Sequence, residues 1–216
     1  MSLSKTYNID CLEAMKRMDE NQFDLAIVDP PYGIGDTWSK SRKDRFYKKG
    51  ALHSYQNDSI PQADYWNQLF RVSKNQIVFG GNYFSDFLKP TNAWIVWDKV
   101  RDADKTFMSE AELAWTSFKK TMRIIQLQWD GAKKCEKITK WHPHQKPIKL
   151  YETIIEKYAE PGYSILDTHI GSGSSRIACY NKGFDFTGYE IDPHYFNIQN
   201  KKFKEFTAQQ VLFKTN

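Results

Sequence analysis

Short apolar runs alternate along the chain with segments whose apolar positions recur every three or four residues, an alternation that predicts strands and helices in turn. Phe23 to Val28 reads as a buried strand ending at Asp29. Gln76 to Phe79 and Ala93 to Trp97 have the same character, and Glu112 to Thr116 is a further strand candidate. Asp10 followed by Glu13 makes a capping-box pattern that opens a helix through Met18. Pro147 suits a first helical position, and Ile148, Tyr151, Ile155 and Tyr158 then build one apolar face that stops at Pro161 and Gly162. A strand over Tyr163 to Leu166 follows, then a helix over Ser174 to Asn181 closed by Gly183, then a strand over Phe184 to Tyr189. Asp192 and Pro193 open a last helix carrying Phe196 and Phe203, whereas Val211 to Phe213 gives no clear signal. Asp36 to Ile60 is polar, basic and aperiodic, as long functional or disordered segments are.

The alternation argues for an α/β sandwich on a largely parallel sheet. No repeat, low-complexity tract or linker divides the 216 residues, so one domain spanning 1–216 is expected. A hydrophobic share of 40% with 15% aromatic residues suits a packed body rather than a disordered chain. No apolar run reaches the ~20 residues a membrane helix needs. Met1 to Lys5 lacks an apolar leader, so a cytoplasmic protein without membrane contact is expected. Cys11, Cys135 and Cys179 are far apart and odd in number, which argues for reduced thiols and against a metal site. His142 and His144 lack the neighbouring ligands a metal needs.

A net charge of +5 is modest, but the cations cluster, and clustering suits a polyanion partner. Lys40, Arg42, Lys43, Arg45, Lys48 and Lys49 surround a single acid, Asp44. Lys119, Lys120, Arg123, Lys133, Lys134, Lys137 and Lys140 make a second group. Solvated loops explain such runs equally well when they are taken alone.

Two constellations carry chemistry. The first is a strand, then Asp167-Thr168-His169-Ile170-Gly171-Ser172-Gly173, then a helix, a second strand and Glu190. Glycines in a strand-to-helix turn admit a ligand to the backbone, and a strand-end acid there is placed to hold two ribose hydroxyls. The third glycine of a dinucleotide fingerprint is missing, which argues against a nicotinamide enzyme. The second is Asp29-Pro30-Pro31-Tyr32, directly after a strand. An amino group on a heteroaromatic ring is a poor nucleophile because its lone pair is delocalised. The Asp29 carboxylate and the rigidly held Pro30 carbonyl can each accept one of its N–H bonds, drawing the nitrogen toward tetrahedral geometry. Pro31 stiffens the turn, and Tyr32 offers a flat face for a base taken out of the duplex.

DPPY at 29–32 together with DTHIGSG at 167–173 resembles the amino-methylating DNA methyltransferases, in the permuted, beta-type order with the catalytic motif first. Tyr7 to Leu12 resembles the element whose acid, here Asp10, contacts the cofactor's adenine. His142-Pro143-His144-Gln145-Lys146-Pro147 resembles the family's H-P-x-Q-K-P segment beside the cofactor pocket. The resemblance implies a Rossmann-like methyltransferase sandwich, with a mostly parallel seven-stranded sheet, one reversed strand and helices on both faces. It implies S-adenosylmethionine as cofactor, bound by Asp10, Lys146, Asp167, His169, Gly171, Ser172, Gly173 and Glu190. It also implies DNA as partner, double-stranded with a flipped target base, with transfer to adenine N6. Cytosine N4 is the near alternative, although such members more often carry Ser before Pro-Pro. RNA methylation and an inactive nucleic-acid-binding module are the further alternatives. Thr168 and His169 replace the family's usual Pro and Phe and make the pocket wall more polar. The family often carries a long target-recognition insertion; here only the basic segments 36–60 and 119–141 are candidates for contacting DNA. A homodimer and a cognate restriction endonuclease both remain open on sequence grounds.

Overall fold

The computed structural model describes residues 2–34, 58–100, 109–130, 133–136 and 139–214. The chain starts with a short edge strand, β1 (Ser4–Tyr7), and a helix of little more than one turn, α1 (Cys11–Met15). Asp10 caps α1, its Oδ1 accepting the Leu12 amide at 2.7 Å. The expected continuation to Met18 tightens instead into bonds from Arg17 and Met18 to carbonyls three residues back.

β2 (Phe23–Val28) is apolar on both faces except at Asp24, as an interior parallel strand must be. α2 (Ala63–Val72) buries Tyr65, Trp66, Leu69 and Val72 and runs directly into β3 (Ser73–Phe79). β4 (Ile95–Asp98), β5 (Ala111–Thr116) and β6 (Arg123–Gln126) follow, then a two-residue ribbon of β7 (Trp129–Asp130) and β8 (Lys133–Lys134). α3 (Ile148–Tyr158), β9 (Ser164–Asp167), α4 (Ser174–Lys182) and β10 (Asp185–Tyr189) match the pattern read from the sequence closely. α5 (Pro193–Lys214) carries helix through the segment that gave no sequence signal.

The main sheet has eight strands in the order β1-β10-β9-β2-β3-β5-β4-β6, one more than the seven expected. Its two rims, β1 and β6, are four-residue strands too short and too polar to show a periodicity. β5 is antiparallel to both its neighbours, and every other pairing in this sheet is parallel. The expected single reversed strand is therefore β5. Because it runs backwards, its first residues lie at the edge where its neighbours end, and Glu112 pairs with Trp97 near the end of β4.

Side chains alternate across the sheet into two cores. Leu25, Ile27, Ile77 and Phe79 pack with Leu150 and Ile154 of α3 and Ile177 of α4. Ala26, Val28 and Val78 face Met15 of α1 and Trp66 and Leu69 of α2. Helices thus cover both faces. From β2 the chain crosses by α2 to β3, while from β9 it crosses by α4 to β10 on the opposite side. The carboxyl ends of β2 and β9 therefore flank the topological switch point, where α/β sheets open a ligand crevice. Among the described residues no helix is long and apolar enough to cross a membrane.

Candidate active site

β2 delivers Asp29 to that crevice, and Pro30-Pro31 turns the chain sharply behind it. Tyr32 folds back so that its hydroxyl donates to Asp29 Oδ1 at 2.6 Å. The Lys146 ammonium, brought in just ahead of α3, pairs with the other carboxylate oxygen, Oδ2. It also lies 3.3 Å from the Tyr32 hydroxyl and 3.4 Å from Glu112 Oε2. Lys99, one residue past β4, closes the series with a 2.5 Å pair to Glu112 Oε1. Two carboxylates and two ammonium groups therefore alternate along the edge of the sheet where β2 and β4 end and β5 begins. Burial opposes the charge on Lys146, but Asp29 and Glu112 outweigh it and its pKa rises. Burial likewise opposes the charge on Glu112, yet Lys146 and Lys99 bring its carboxyl down to about 2. Burial, and then the nearby Asp29 and Glu112, hold the Tyr32 phenol neutral.

Tyr32 is fixed on a second side by the turn after β3. Gly80 has φ +67°, and a Cβ there would stand 2.3 Å from the Tyr32 ring, so only glycine lets the two approach. The same turn places Tyr83 over Tyr32, with ring centroids 4.9 Å apart and planes 16° from parallel.

On the other side of the crevice, β9 ends in Asp167, which is buried and inward-facing. It accepts the Ser175 hydroxyl at 2.5 Å and the His169 amide at 2.9 Å, and burial pushes its carboxyl up to about 7. Asp167 thus ties the start of α4 to the turn that precedes it. Glu190, at the end of β10, accepts the Gly171 amide at 3.0 Å on Oε2 and the Asp192 amide at 2.9 Å on Oε1. Gly171 has φ +48°, and a Cβ there would come within 3.3 Å of the His142 ring. Ser172 Oγ pairs with Ser174 Oγ at 3.0 Å, and Ser174 Oγ donates to the Lys146 carbonyl at 2.8 Å. Gly173, also left-handed at φ +78°, is the N-cap of α4.

A cleft joins the two motifs; Asp10, Cys11, Pro31, Thr168, His169 and Glu190 are among its walls. Burial, chiefly, brings the His169 imidazole down to about 4 and pushes the Cys11 thiol up to about 12, so both are neutral at pH 7. The site residues expected from the sequence thus separate into groups. Asp10, Pro31, His169 and Glu190 line the cleft, whereas Asp167 and Ser172 turn inward and hold the glycine turn. Lys146, expected beside the cofactor, instead puts its ammonium on Asp29, and only its carbonyl reaches the turn.

Of the expected DNA contacts, Lys40, Arg42, Lys43, Arg45, Lys48 and Lys49 lie outside the described residues. Lys133 belongs to β8, and the Lys134 ammonium stands 5.5 Å from the centroid of the Trp129 ring. Glu112 and Lys99 were not picked out from the sequence. A buried acid at the start of β5 becomes meaningful only once that strand is known to run backwards.

A mostly parallel α/β sandwich with one reversed strand and a glycine-turn cleft at its switch point is a Rossmann-like fold of the methyltransferase type. It superposes on the crystal structure of the M1.HpyAVI-SAM complex with a TM-score of 0.60 at 21% identity, covering 93% of this chain and 100% of that one. It superposes on PvuII DNA methyltransferase (cytosine-N4-specific) with a TM-score of 0.60 at 12% identity, covering 92% and 86%. The Type II methyltransferase M.HpaI of Haemophilus parainfluenzae is 23% identical over 238 residues, covering 89% of this chain and 72% of its own. The DNA methylase family model matches residues 65–201, and the chain belongs to this N6/N4 DNA methylase family.

Proposed function

We propose that the protein moves a methyl group from S-adenosylmethionine to the exocyclic amino group of a flipped base in DNA, adenine N6 in preference to cytosine N4. The observation that carries this reading is the placement of Asp29 and Pro31 around the same crevice as the glycine turn and Glu190.

The chemistry of the cleft suits this cofactor. Each Glu190 oxygen spends one bond on a backbone amide and keeps a lone pair for a ribose hydroxyl. Asp10 and Glu190 bring carboxylates toward a ligand that carries a sulfonium and an ammonium. When bound, S-adenosylmethionine supplies an electrophilic methyl carbon on sulfur. Asp29 and the Pro30 carbonyl accept the two N–H bonds of the target amine, freeing its lone pair for in-line attack. Lys146 is held cationic and Tyr32 neutral, so neither can take up the proton of the target nitrogen, whereas Asp29 accepts one of its N–H bonds and is placed to do so. Tyr32 stacks the base, and Glu190 with Gly171 and Gly173 shapes the ribose end. The basic segments 36–60 and 119–141 grip phosphates, each contact adding about −0.9 to the slope of log affinity against log salt.

Asp29→Ala is expected to abolish transfer while leaving S-adenosylmethionine affinity within about twofold of wild type, because the carboxylate acts on the amine and not on the cofactor. Wild-type turnover in that variant would overturn the reading. Nucleoside mass spectrometry on DNA treated with labelled cofactor identifies the methylated base, and N4-methylcytosine as the product would overturn the adenine assignment alone.

A further inference from the structure

We propose that Glu112 is a positioning residue for this reaction: it is the second seat of the Lys146 ammonium, which leaves Asp29 for Glu112 when the target amine arrives. The inference rests on the function just proposed for Asp29.

Both oxygens of Asp29 are engaged, Oδ1 by the Tyr32 hydroxyl and Oδ2 by Lys146. A base amine comes to the same carboxylate as a further donor, and while the ammonium sits on Oδ2 it neutralises the charge that draws the amine, so Asp29 is the stronger acceptor once the lysine has moved off. Something has to receive the lysine without exposing it. Glu112 Oε2 is buried and accepts no hydrogen bond, although the Lys146 ammonium stands 3.4 Å away. At that separation the charges attract without a well-formed hydrogen bond, so a shift of under about 1 Å completes one.

The surroundings confine the motion to that shift. Ser174 anchors the Lys146 carbonyl at 2.8 Å, which leaves only the end of the side chain to move. Phe79 forms an aromatic floor, its ring centroid 4.8 Å from the ammonium. Lys99 holds Glu112 Oε1 at 2.5 Å and so keeps the carboxylate from following the lysine toward Asp29. The alternation of charges stays balanced in both positions, because the ammonium only changes which of its two carboxylates it hydrogen-bonds.

Glu112→Gln removes the ionic seat and keeps the shape. It is expected to slow transfer from preformed enzyme–DNA complex at least about tenfold, with affinities for S-adenosylmethionine and for duplex DNA unchanged within about twofold. Glu112→Asp, which keeps the charge, is expected to recover the rate to within about threefold of wild type. The decisive comparison is with Lys146→Met, where no ammonium needs a seat. There Glu112→Gln is expected to cost less than about twofold. An equal loss with and without Lys146 would show that Glu112 acts some other way and would overturn the proposal, as would wild-type rates in Glu112→Gln. Abolished transfer in Lys146→Met alone would also overturn it, since the lysine would then act in the reaction itself. None of these results bears on Asp29→Ala, so this inference and the functional reading fail separately.

Discussion

Tyr83 lies flat against Tyr32, with 4.9 Å between ring centroids, while keeping 44% of its own surface exposed. It therefore fills one stacking face of the ring proposed to receive the target base. An aromatic pair of this kind contributes about 0.5–1.5 kcal/mol, whereas a nucleobase stacked on an aromatic side chain contributes about 1–3 kcal/mol. The base wins that comparison, and Tyr83 yields. Tyr83→Ala is expected to lower stability by no more than about 1.5 kcal/mol and to raise the flipped-out population of the target. Fluorescence of 2-aminopurine at the target position reads this directly, and an unchanged or weaker signal in the variant would show that Tyr83 holds the base instead of giving way to it.

Asp167 makes stability depend on pH. Burial is the main reason its folded pKa is about 7, against 3.8 for the free side chain, and Ser175 and His169 offset only part of that. Between those values the folded state binds more protons than the unfolded one, so stability is greatest below about pH 4 and falls as pH rises to 7, by a few kcal/mol in order of magnitude. His169 and His142, whose folded values are brought down to about 4 and about 3, chiefly by burial, act oppositely below pH 6.5 and flatten the overall profile. Asp167→Asn isolates the carboxyl. Melting temperatures of the two proteins are expected to converge near pH 4 and to diverge in favour of Asn by pH 8, and parallel profiles would mean that Asp167 titrates normally.

Gly171 combines a left-handed φ of +48° with a His142 ring 3.3 Å from where a Cβ would sit. Either feature alone penalises a side chain, and together they are expected to cost Gly171→Ala about 1–3 kcal/mol of stability. Gly162→Ala is the control. Its φ is +88°, but no atom lies within 4 Å of the added methyl, so it suffers the backbone penalty without the collision. Denaturant unfolding of the two variants separates these contributions. Equal losses would mean that the His142 ring moves aside at no cost.

The interior of this protein is written more legibly than its rims. β2 is an interior strand with a near-continuous apolar run, and α3 shows one apolar face, so the pattern alone marks them. β6 was hidden because only Ile125 of its four residues is buried, which is what an edge strand requires. α2 is different: Tyr65, Trp66, Leu69 and Val72 carry an ordinary helical spacing, and the signal was available but overshadowed by the aperiodic stretch before it. The two motifs single out Asp29, Tyr32 and Glu190 as candidates because the chemistry proposed for them restricts which residues can serve there. Glu112 and Lys99 have no motif. Their meeting depends on the direction of β5, a property of how strands order in the sheet and not of any local run of residues.

Glu190 joins stability of the turn to the proposed recognition of the ribose. Its two oxygens each accept a backbone amide, Gly171 at 3.0 Å and Asp192 at 2.9 Å, in a position where only 4% of the residue is exposed. In Glu190→Gln one oxygen becomes an amide donor that faces a backbone N–H, so one of the two bonds is lost and a buried donor goes unsatisfied. That costs about 1–3 kcal/mol, and because the lost bond belongs to the loop that shapes the cleft, the deficit appears in binding as roughly a tenfold to hundredfold weaker affinity for S-adenosylmethionine. Calorimetric titration of Glu190→Gln beside Asp29→Ala separates the two ends of the site, since the first is expected to lose affinity and the second to keep it. Equal, wild-type affinity in both would mean that the ligand sits elsewhere than between Glu190 and the glycine turn.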